Sequence, residues 1–468
     1  MIAPGAHLHF IGIGGAGMSA LAQVLRHRGY AVSGCDVRES EATARLRRLG
    51  IAVAIDHHPT HLDGPDALVV SRAIEEGNPE VYAARTRGVP VYHRAELLGT
   101  LMASGRSIAV VGTHGKTTTA AMLARVLTAA GLDPTALIGA DVPDYGGNAR
   151  AGGGDWIVAE VDESDGSLVH VRPAAAVLTS LDATDHRDFY TSAAHLVDVF
   201  ARFLRGVAPD GFVAACIDHA AVRAVVAALG RPVITYGFHP AADVRGEAVA
   251  LRGATARATL TVGGRAAGIL ELRVPGRHNI VNALGAVAAA RAVGVPVETA
   301  ATALRDYQGA ARRFAIRGEA GGVLVVDDYA HNPVKLAAVL QAAREGWPER
   351  RLVVVFQPHR FSRTRTTHGA YANVFALADE VIVTEIYPAG ERPVPGVGAH
   401  LIVDAIARQR SVRYCPTIED VLATLEHLVR PGDLVLTLGA GDIGAAADLL
   451  LTRLAPRDAA PAGAEDRP

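Results

Sequence analysis

The chain has 468 residues, with 50% hydrophobic and 20% charged side chains and 49 glycines, a composition typical of two or three compact α/β domains. Its formal net charge of −2 excludes the broad basic field with which proteins hold nucleic acid or an anionic membrane surface. The three cysteines are too widely spaced for a disulfide framework, the N-terminus lacks the basic segment of a signal peptide, and no apolar run is long enough to cross a bilayer. We therefore expect a cytoplasmic protein.

The N-terminal part of the chain predicts a first α/β domain over residues 1–104. Residues 7–13 have the pattern of a buried strand, a glycine-rich turn follows, and a helix is predicted up to Arg28. The turn fits the G-x-G-x-x-G pattern, with Asp36 about twenty residues further on, and such a turn can seat a diphosphate at a helix N-terminus. Because the same pattern occurs in turns that bind nothing, a purely structural turn stays open. Further strands of this domain are predicted at residues 67–71 and 89–92.

A second strand, loop and helix unit opens a central domain, which we predict over residues 105–311. Residues 107–112 form the predicted strand, a glycine-rich turn follows, and Gly131 closes the predicted helix. The short alternating pieces at 244–274 predict a small β insertion within this domain. Further buried strands, of the parallel type, are predicted at residues 156–161 and 174–179.

The glycine-rich turn of the central domain, residues 112–118, predicts a phosphate-binding loop. Its backbone amides and the helix dipole can hold phosphate oxygens, Lys116 can reach the terminal phosphates, and the Thr117 hydroxyl can bind Mg²⁺. The turn departs from the usual pattern because Val110 holds the place of the first glycine. Only Lys116 and Lys335 are lysines among 46 Lys and Arg residues, which favours a position that needs a compact ammonium.

Buried strands separated by helix-like stretches predict a third, doubly wound domain over residues 312–456. The end of the chain, residues 457–468, has the composition of a flexible tail. The predicted fold class is α/β with three domains, in which doubly wound Rossmann-like N- and C-terminal domains lie around a central P-loop ATPase-type domain. The strands of the third domain are predicted at 322–326, 352–356, 380–384 and 434–437.

Charged side chains follow several of the predicted strands, at the sheet edge where α/β sites form. The acidic run at 160–165 offers hard oxygen ligands for Mg²⁺, and His186 follows the next strand. In the third domain the segments 327–333 and 357–364 also follow strands, and their arginines can hold carboxylates. A solvated acidic turn, a capped turn and a patch of surface arginines stay open as the alternatives.

Together these features predict an ATP and Mg²⁺ centre in the central domain, with acceptor groups from the domains on either side. Two phosphate-type loops in separate domains favour two different nucleotide ligands, which a dehydrogenase would not need. No Ser-His-Asp set, cysteine nucleophile or zinc-binding spacing is evident.

Motifs in this order resemble those of the Mur ligase family, and specifically its alanine-adding branch. They run from Gly12 to about Gly441 and read GIGGAGMSALA, GTHGKTTT, AEVDESD, GRHNIVNAL, DDYAHNP, QPHRFSRT, YPAGE and GAGDI. The resemblance implies a UDP-sugar-binding domain, an ATPase domain and a Rossmann-like amino-acid-binding domain, in that order. It also implies ATP- and Mg²⁺-dependent ligation of L-alanine to UDP-N-acetylmuramate in peptidoglycan precursor synthesis.

The resemblance further implies roles for individual residues, carried over motif by motif. The implied catalytic residues are Lys116, Glu163, His186 and His331. The implied metal ligands are Thr117, Glu163 and His186. The implied ATP contacts are Gly112, Thr113, His114, Gly115, Lys116, Thr117, Thr118, His278, Asn279, Asn282, Arg312, Arg313, Asp328 and Tyr329. The implied substrate contacts are Gly14, Gly15, Gly17, Met18, Ser19, Ser71, Arg360 and Arg363.

Several points stay open at this stage. The segment from Ser180 to His186 is one residue longer than the family pattern, which leaves the register of Asp182 open. A ligase of the same family that reattaches recycled murein tripeptide is the nearest alternative, and a nucleotide-dependent binding or regulatory protein is the alternative from another class. The selectivity for alanine over glycine or serine and the role of Lys335 are also open. We expect a monomer or a homodimer without nucleic-acid or membrane partners.

Overall fold

Three β-sheets organise the part of the chain that the structure, a computed structural model, describes: residues 2–163, 167–182 and 192–455. The chain divides into two units, Met1–Ala311 and Arg312–Pro468. The first unit contains two of the sheets and the second unit contains the third. Within the described ranges, no helix has the length and apolar character needed to cross a membrane.

The first sheet is parallel and doubly wound. Its elements are, in chain order, β1 (His7–Ile11), α1 (Ala16–His27), β2 (Ala31–Cys35), α2 (Glu41–Arg48), β3 (Ala52–Ala54), β4 (Ala67–Val70), α3 (Pro79–Arg87), β5 (Val91–His93) and α4 (Arg94–Ala103). The strand order is β3-β2-β1-β4-β5, so the winding reverses beside β1 and the glycine-rich turn after β1 lies at the switch point. Along β1, Leu8 and Phe10 enter the main core, whereas His7 and His9 contact Ser33 on β2.

The second sheet carries the phosphate-type loop. Its elements are, in chain order, β6 (Arg106–Val111), α5 (Lys116–Ala129), β7 (Thr135–Val142), β8 (Gly147–Arg150), β9 (Trp156–Glu160), β10 (Ala175–Leu178), α6 (Ala193–Arg205), β11 (Val213–Cys216), α7 (Ala220–Ala227), β12 (Ile234–Gly237), β13 (Val244–Arg252), β14 (Thr255–Val262), β15 (Arg265–Leu272), α8 (Arg277–Ala292) and α9 (Val297–Arg305). The strand order is β15-β14-β13-β12-β11-β10-β6-β9-β7-β8. The loop after β6 therefore lies at an interior position of the sheet.

The segment predicted as a small β insertion is an extension of this second sheet. It has the predicted β structure, but β13 pairs in parallel with β12 through Tyr236 and Val244, and β14 and β15 continue the sheet as antiparallel strands. Leu260 and Leu270 are buried in the same core as α5 and α8. The strands join the main sheet because the edge of β12 offers backbone groups to pair and their inner face is apolar.

One hydrophobic core lies between the first and second sheets. Leu21 of α1 belongs to the same buried cluster as Leu137 of β7 and Ile157 of β9. Asn148 of β8 satisfies buried polar groups beside this core: its Nδ2 donates to the Ser19 hydroxyl at 3.0 Å and to a carbonyl at the start of α1 at 2.6 Å. The two sheets consequently form one unit.

The third sheet makes up the second unit. Its elements are, in chain order, β16 (Ala315–Ala320), β17 (Val323–Asp328), α10 (Pro333–Gly346), β18 (Arg351–Phe356), α11 (Phe361–Thr367), β19 (Glu380–Val383), α12 (His400–Ala407), β20 (Arg413–Tyr414), α13 (Ile418–Leu428), β21 (Asp433–Leu438) and α14 (Gly444–Leu454). The strand order is β16-β17-β21-β18-β19-β20, with β16 antiparallel and the others parallel. Separate apolar clusters cover its two faces, which confirms the predicted doubly wound α/β class.

Candidate active site

The central loop connects β6 to α5 at the carboxyl edge of the second sheet. Gly112 and Gly115 have positive φ angles of 130° and 80°. A Cβ atom on Gly112 would lie 2.2 Å from Thr179 Oγ1, and one on Gly115 would lie 2.4 Å from Asn282 Oδ1. Backbone conformation and lack of space both require glycine at these positions, and the loop amides are thereby held at the N-terminus of the helix.

Lys116 is buried at the base of this loop. Its Nζ donates to the carbonyl oxygen of Gly112 at 2.7 Å and to Glu163 Oε2 at 2.6 Å, and Asp162 Oδ1 lies 3.8 Å away. Burial disfavours the charge, but Glu163, Asp162 and Glu160 outweigh burial and raise the pKa of Lys116 above its usual range. The lysine is therefore an ammonium group held among carboxylates.

Oxygen atoms that could hold a metal ion lie beside Thr117. Its hydroxyl donates to Glu160 Oε1 at 3.0 Å, and the backbone N–H of Gly139 donates to Glu160 Oε2 at 2.7 Å. Glu160 is the last residue of β9, and sequence reasoning noted its acidic run but did not single it out, preferring Glu163. His186, the remaining predicted metal ligand and catalytic residue, lies outside the described residues.

Residues that follow β10 hold the loop from one side. Ser180 Oγ accepts from the backbone N–H of His114 at 2.9 Å and lies 3.1 Å from Thr113 Oγ1. Asp182 Oδ2 lies 3.1 Å from His114 Nε2, and its backbone N–H donates to Thr113 Oγ1 at 3.0 Å. Although the segment is one residue longer than the family pattern, Asp182 thus lies against His114 of the loop.

Thr118, the last residue of the loop, is buried in the first turn of α5.

The first turns of α8 lie against the loop from the other side. Asn282 Nδ2 donates to Asn279 Oδ1 at 3.2 Å, and Asn282 Oδ1 accepts from Thr119 Oγ1 at 3.4 Å. Asn279 Nδ2 donates to the carbonyl oxygen of Pro275 at 2.7 Å. Burial lowers the pKa of His278 to about 4, so its ring is neutral at neutral pH. The structure thus brings Asn282, and through it Asn279, to the phosphate-type loop.

The first glycine-rich turn joins β1 to α1 at the switch point of the first sheet. The backbone N–H of Gly14 donates to Asp36 Oδ2 at 2.9 Å, and Gly15 directly precedes the helix. A Cβ atom on Gly14 would lie 2.9 Å from the same Asp36 oxygen, and one on Gly17 would lie 2.6 Å from Arg94 Nη1. Arg94 was not singled out in the sequence, because nothing local marks an arginine on a later helix as a neighbour of this turn.

The other predicted substrate contacts of the first sheet differ in exposure. Met18 is part of the core between the sheets, and Ser19 is fully buried against Asn148. Ser71 follows β4 and is half-buried. In this structure Met18 and Ser19 therefore serve packing between the sheets, and their role as substrate contacts stays a prediction.

A cavity of about 170 Å³ lies between the first glycine-rich turn and the acidic run. Gly17 and Arg94 line it from the first sheet, and Gly139, Glu160 and Asp162 line it from the second. A group seated at the first turn can therefore extend through this cavity toward Glu160, which itself contacts Thr117.

Arg312 is bound inside the second unit. Its Nε donates to Asp327 Oδ2 at 2.8 Å, and its two Nη atoms donate to the carbonyl oxygens of Gly441 at 2.8 Å and Gly439 at 2.7 Å. The whole guanidinium fork thus holds the loop after β21 to the end of β17.

The neighbouring Asp328 positions the segments on either side of it. Its two carboxylate oxygens accept from the backbone N–H groups of Phe314 at 2.6 Å and Ala330 at 2.7 Å. Burial raises the pKa of Asp328 to about 6, although Arg313 and these hydrogen bonds act in the opposite direction. The guanidinium of Arg313 lies over the ring of Tyr329, 5.1 Å from its centroid.

His331 is buried and neutral. Its Nδ1 lies 2.9 Å from the carbonyl oxygen of Tyr329, so Nδ1 carries the proton and Nε2 is the acceptor. Burial, together with the positive charges of Lys335 and Arg363, holds the pKa of His331 well below its usual range. The ring of His359 lies 5.4 Å from it, and burial with the same arginine lowers the pKa of His359 to about 4.

Arg360 and Arg363 flank the start of α11. Arg363 Nη1 lies 3.2 Å from His359 Nδ1, and both arginines are half-buried. Arg360 has a positive φ of 70°, and its backbone N–H donates to the carbonyl oxygen of Tyr387 at 2.9 Å. A strained backbone fixed in this way orients the arginine, as is common at functional sites.

The parallel sheets, and the glycine-rich loop between β6 and α5 with Lys116 at the start of the helix, define an α/β protein of the phosphate-binding-loop class. Models of the Mur ligase family match three consecutive parts of the chain. The matches are "Mur ligase family, catalytic domain" to residues 7–106, "Mur ligase middle domain" to residues 110–290 and "Mur ligase, glutamate ligase domain" to residues 312–441.

The chain is also similar to individual proteins of known name. It is 45% identical over 438 residues to UDP-N-acetylmuramate--L-alanine ligase of Solidesulfovibrio magneticus, covering 93% of this chain and 95% of that protein. It is also 45% identical over 451 residues to the protein of the same name from Anaeromyxobacter dehalogenans strain 2CP-1, and this match covers 96% of this chain and 98% of that protein. The chain belongs to the Mur ligase family.

Two solved structures resemble the fold. The crystal structure of UDP-N-acetylmuramate-alanine ligase from Thermotoga maritima superposes with a TM-score of 0.83 at 30% identity, covering 96% of this chain and 99% of that chain. The crystal structure of a murein peptide ligase from Psychrobacter arcticus superposes with a TM-score of 0.71 at 25% identity, covering 97% of this chain and 100% of that chain.

Proposed function

We propose that this chain is an ATP-dependent ligase that joins L-alanine to UDP-N-acetylmuramate through an acyl phosphate, in peptidoglycan precursor synthesis. The observation that carries the proposal is the buried ammonium of Lys116, held at the base of the central loop between Gly112 and Glu163. The names of relatives that are 45% identical over more than nine-tenths of the chain support the substrates.

The central loop is the proposed site for the ATP phosphates. Its backbone amides and Lys116 would hold the terminal phosphates. Asn279 and Asn282 support the loop from α8, beside the neutral His278. We propose Arg312 and Arg313 as the arginines near the nucleotide, as the family resemblance implies, although Arg312 also holds Asp327, Gly439 and Gly441 within its own unit.

The donor set beside Thr117 fits Mg²⁺. A hydroxyl and the carboxylates of Glu160 and Glu163 are hard oxygen ligands of the kind this ion prefers. Bound there, Mg²⁺ would offset the negative charge of the terminal phosphates. His186 is the further ligand that we propose, and a magnesium titration of His186→Ala, with ATP affinity as the control, tests it.

The first glycine-rich turn is the proposed seat of the UDP-sugar. Its amides point from the N-terminus of α1, and Asp36 orients Gly14. The cavity beside Gly17 and Arg94 offers the muramoyl carboxylate a route toward Glu160 and the central loop. We propose that Arg94 binds that carboxylate as an ion pair.

The carboxyl edge of the third sheet is the proposed alanine site. Arg360 and Arg363 would hold the carboxylate of alanine as a charged fork. The neutral His331, whose Nε2 is an acceptor, would take the proton that the amine loses when it attacks the acyl phosphate.

Two alternatives have different support. The murein tripeptide recycling ligase shares the chemistry, but the likeness to a murein peptide ligase is weaker than that to an alanine ligase, with a TM-score of 0.71 against 0.83. A binding or regulatory protein without turnover has less support, because relatives that are 45% identical over more than nine-tenths of the chain are named as ligases.

One experiment separates these functions: phosphate release from ATP in the presence of UDP-N-acetylmuramate and a panel of alanine, glycine, serine and L-Ala-γ-D-Glu-diaminopimelate. We expect release that needs both the sugar acid and alanine. Release with UDP-N-acetylmuramate and the tripeptide, but with none of the single amino acids, would identify the recycling ligase. No release with UDP-N-acetylmuramate and any member of the panel would identify a binding protein.

The proposal includes the domain boundaries 1–104, 105–311 and 312–456, with a tail at 457–468. It places the enzyme in the cytoplasm as a monomer or a homodimer, without nucleic-acid or membrane partners. Light scattering over a range of concentrations, with and without ATP, tests the oligomeric state.

A further inference from the structure

A buried group of metal-ligating side chains lies in the first sheet, on the side of the sheet covered by α3. It consists of His9 on β1, Cys35 at the end of β2, His61 in a 3₁₀ helix (Pro59–Leu62) and Glu80 in the first turn of α3. One ligand atom from each of the four residues lies within 4.8 Å of every other. His61 is half-buried and the other three are buried.

The distances from Glu80 to the other three residues are close to those around a tetrahedral ion. Glu80 Oε1 lies 3.1 Å from His61 Nδ1 and 3.2 Å from Cys35 Sγ, and Glu80 Oε2 lies 3.3 Å from His9 Nε2. Zinc bonds of about 2.0 to 2.3 Å imply ligand-to-ligand separations of roughly 3.3 to 3.7 Å. The other separations are at most 4.8 Å, so shifts of up to about one ångström would admit an ion among them.

In both histidines, the ring nitrogen that points away from the group lies close to an oxygen atom of another side chain. His9 Nδ1 lies 2.9 Å from Ser33 Oγ, and His61 Nε2 lies 3.5 Å from Asp56 Oδ1. Metal-binding histidines are held in this way, with the second nitrogen on a carboxylate or another oxygen that fixes the tautomer. His9 Nε2, which faces the group, is buried and makes no well-oriented hydrogen bond.

We propose that His9, Cys35, His61 and Glu80 form a structural zinc site. A thiolate and a carboxylate supply two negative charges that neutralise Zn²⁺, and two neutral imidazoles complete four-coordination. The soft sulfur and the imidazole nitrogens favour zinc over Mg²⁺, whose preferred ligands are all oxygen.

The site lies directly beneath the first glycine-rich turn. The carbonyl oxygen of Cys35 accepts from the backbone N–H groups of Gly12 at 2.8 Å and Ile13 at 3.0 Å. The next residue, Asp36, accepts from Gly14 at 2.9 Å. An ion on Cys35 therefore stiffens the base of the turn, and zinc removal weakens UDP-sugar binding, a consequence that rests on the proposed function of this turn.

Without a metal, the same residues form a hydrogen-bonded network in which the Cys35 thiol donates to Glu80. His57 is part of this network, since its Nδ1 lies 3.2 Å from Cys35 Sγ and 3.3 Å from Glu80 Oε1. The two readings differ in metal content. The full-length protein is stripped with a chelator, dialysed with one equivalent of Zn²⁺ in excess Mg²⁺, and its zinc is measured by mass spectrometry. We expect one zinc per chain, and Co²⁺ in place of zinc should produce the thiolate-to-cobalt absorption band.

Matched variants assign the site. Cys35→Ser and His61→Ala should weaken zinc binding at least about 100-fold, and Asp56→Ala about tenfold. Cys216→Ser, another buried cysteine, and His58→Ala, an exposed neighbouring histidine, should bind as the unaltered chain does. Asp56 is exposed, so its variant keeps the test informative if removal of a ligand prevents folding.

Several results would overturn the site. They are an unaltered protein that keeps no zinc after dialysis, a cobalt complex without the thiolate band, or full binding by Cys35→Ser. Affinity for UDP-N-acetylmuramate, measured by calorimetry with and without zinc, tests the stiffening separately. Zinc binding with unchanged sugar affinity would retain the site and reject only its link to the turn.

Discussion

The Nζ of Lys116 lies 2.6 Å from Oε2 of Glu163, and the side chains of both residues are buried. The ammonium is therefore paired with a protein carboxylate at the place where we propose that phosphate binds. Phosphate would compete with Glu163 for the lysine, and the released carboxylate would then be available to Mg²⁺.

Lys116→Arg should abolish turnover although it keeps the positive charge. The Nζ occupies a buried space between a carbonyl oxygen and a carboxylate, and a planar guanidinium is too large for it. We expect kcat to fall at least about 100-fold, equal to roughly 2.7 kcal/mol of lost stabilisation of the transition state. Single-turnover phosphate release measures the loss of activity, and Lys335→Arg is the control. Near-normal activity of Lys116→Arg would show that the loop has room for a guanidinium group.

Glu163→Gln should destabilise the first unit by about 3 kcal/mol, because it leaves a buried ammonium with a weaker partner. Lys116→Met combined with Glu163→Gln should be more stable than the sum of the two single effects predicts, by at least about 1 kcal/mol. Urea denaturation followed by fluorescence gives the four free energies of unfolding. Strict additivity would mean that the two residues do not depend on each other.

Arg363→Ala should damage alanine coupling more than formation of the acyl phosphate. A charged hydrogen bond to the alanine carboxylate contributes roughly 1.5 to 3 kcal/mol, enough to raise the KM for alanine at least tenfold. Steady-state kinetics with alanine varied at saturating ATP and UDP-sugar measure it, and Arg365→Ala, an exposed arginine of the same helix, is the control. A raised KM for the UDP-sugar instead would assign Arg363 to the muramoyl carboxylate.

Lys335→Ala should move the acid limb of the rate profile to higher pH. Burial and the charges of Lys335 and Arg363 lower the pKa of His331, so removing one charge raises that pKa and His331 becomes protonated at higher pH. A shift of about one pH unit is expected from a single charge at an effective dielectric of about 20. Lys335→Arg should leave the limb in place, and an unmoved limb in Lys335→Ala would mean that another group accepts the proton.

His278→Gln should make folding stability less sensitive to acid. The folded pKa of His278 is about 4 because the fold withdraws the half-buried ring from water, against about 6.5 when unfolded. The unfolded chain therefore binds the proton more readily, and the stability that the neutral ring contributes above about pH 6.5 is lost as the pH falls toward 4. Between about pH 7 and pH 5 the variant should lose roughly 1 to 2 kcal/mol less than the unaltered chain. Urea denaturation at the two pH values measures it, and equal losses would mean that His278 is accessible to protons in the fold.

The phosphate-type loop was predictable because its signal is local. A buried strand, a glycine turn with Lys116 and Thr117, and a helix are contiguous in the sequence, and the structure has them in that form. The strands β3 and β7 were not predicted, since neither AVA nor TALIGADV shows a clear two-residue alternation of apolar and polar side chains, and the sheet neighbours supply their stability. The same limit applies to residues 244–274, whose β pattern was evident but whose pairing with β12 was not.

Parts of the site that depend on distant residues could not be predicted. Ser180 and Asp182 hold the loop only because β10 lies beside β6. The proposed zinc ligands come from two strands, a 3₁₀ helix and an α-helix, so no short spacing marks them, and sequence analysis found no zinc pattern. The hydrogen bonds from Arg312 to the carbonyl oxygens of Gly439 and Gly441 likewise arise only in the folded unit.

The core shared by the first two sheets decides how the chain can be divided for laboratory work. A piece ending at Ser104 would leave Leu21 without Leu137 and Ile157, and would leave the Ser19 hydroxyl without Asn148. We expect such a piece to aggregate on expression, however well its boundary matches a sequence domain. Fragment screening or isotope labelling aimed at the sugar-nucleotide turn should therefore start from Met1–Ala311, which keeps the turn, its cavity and their shared core in one piece.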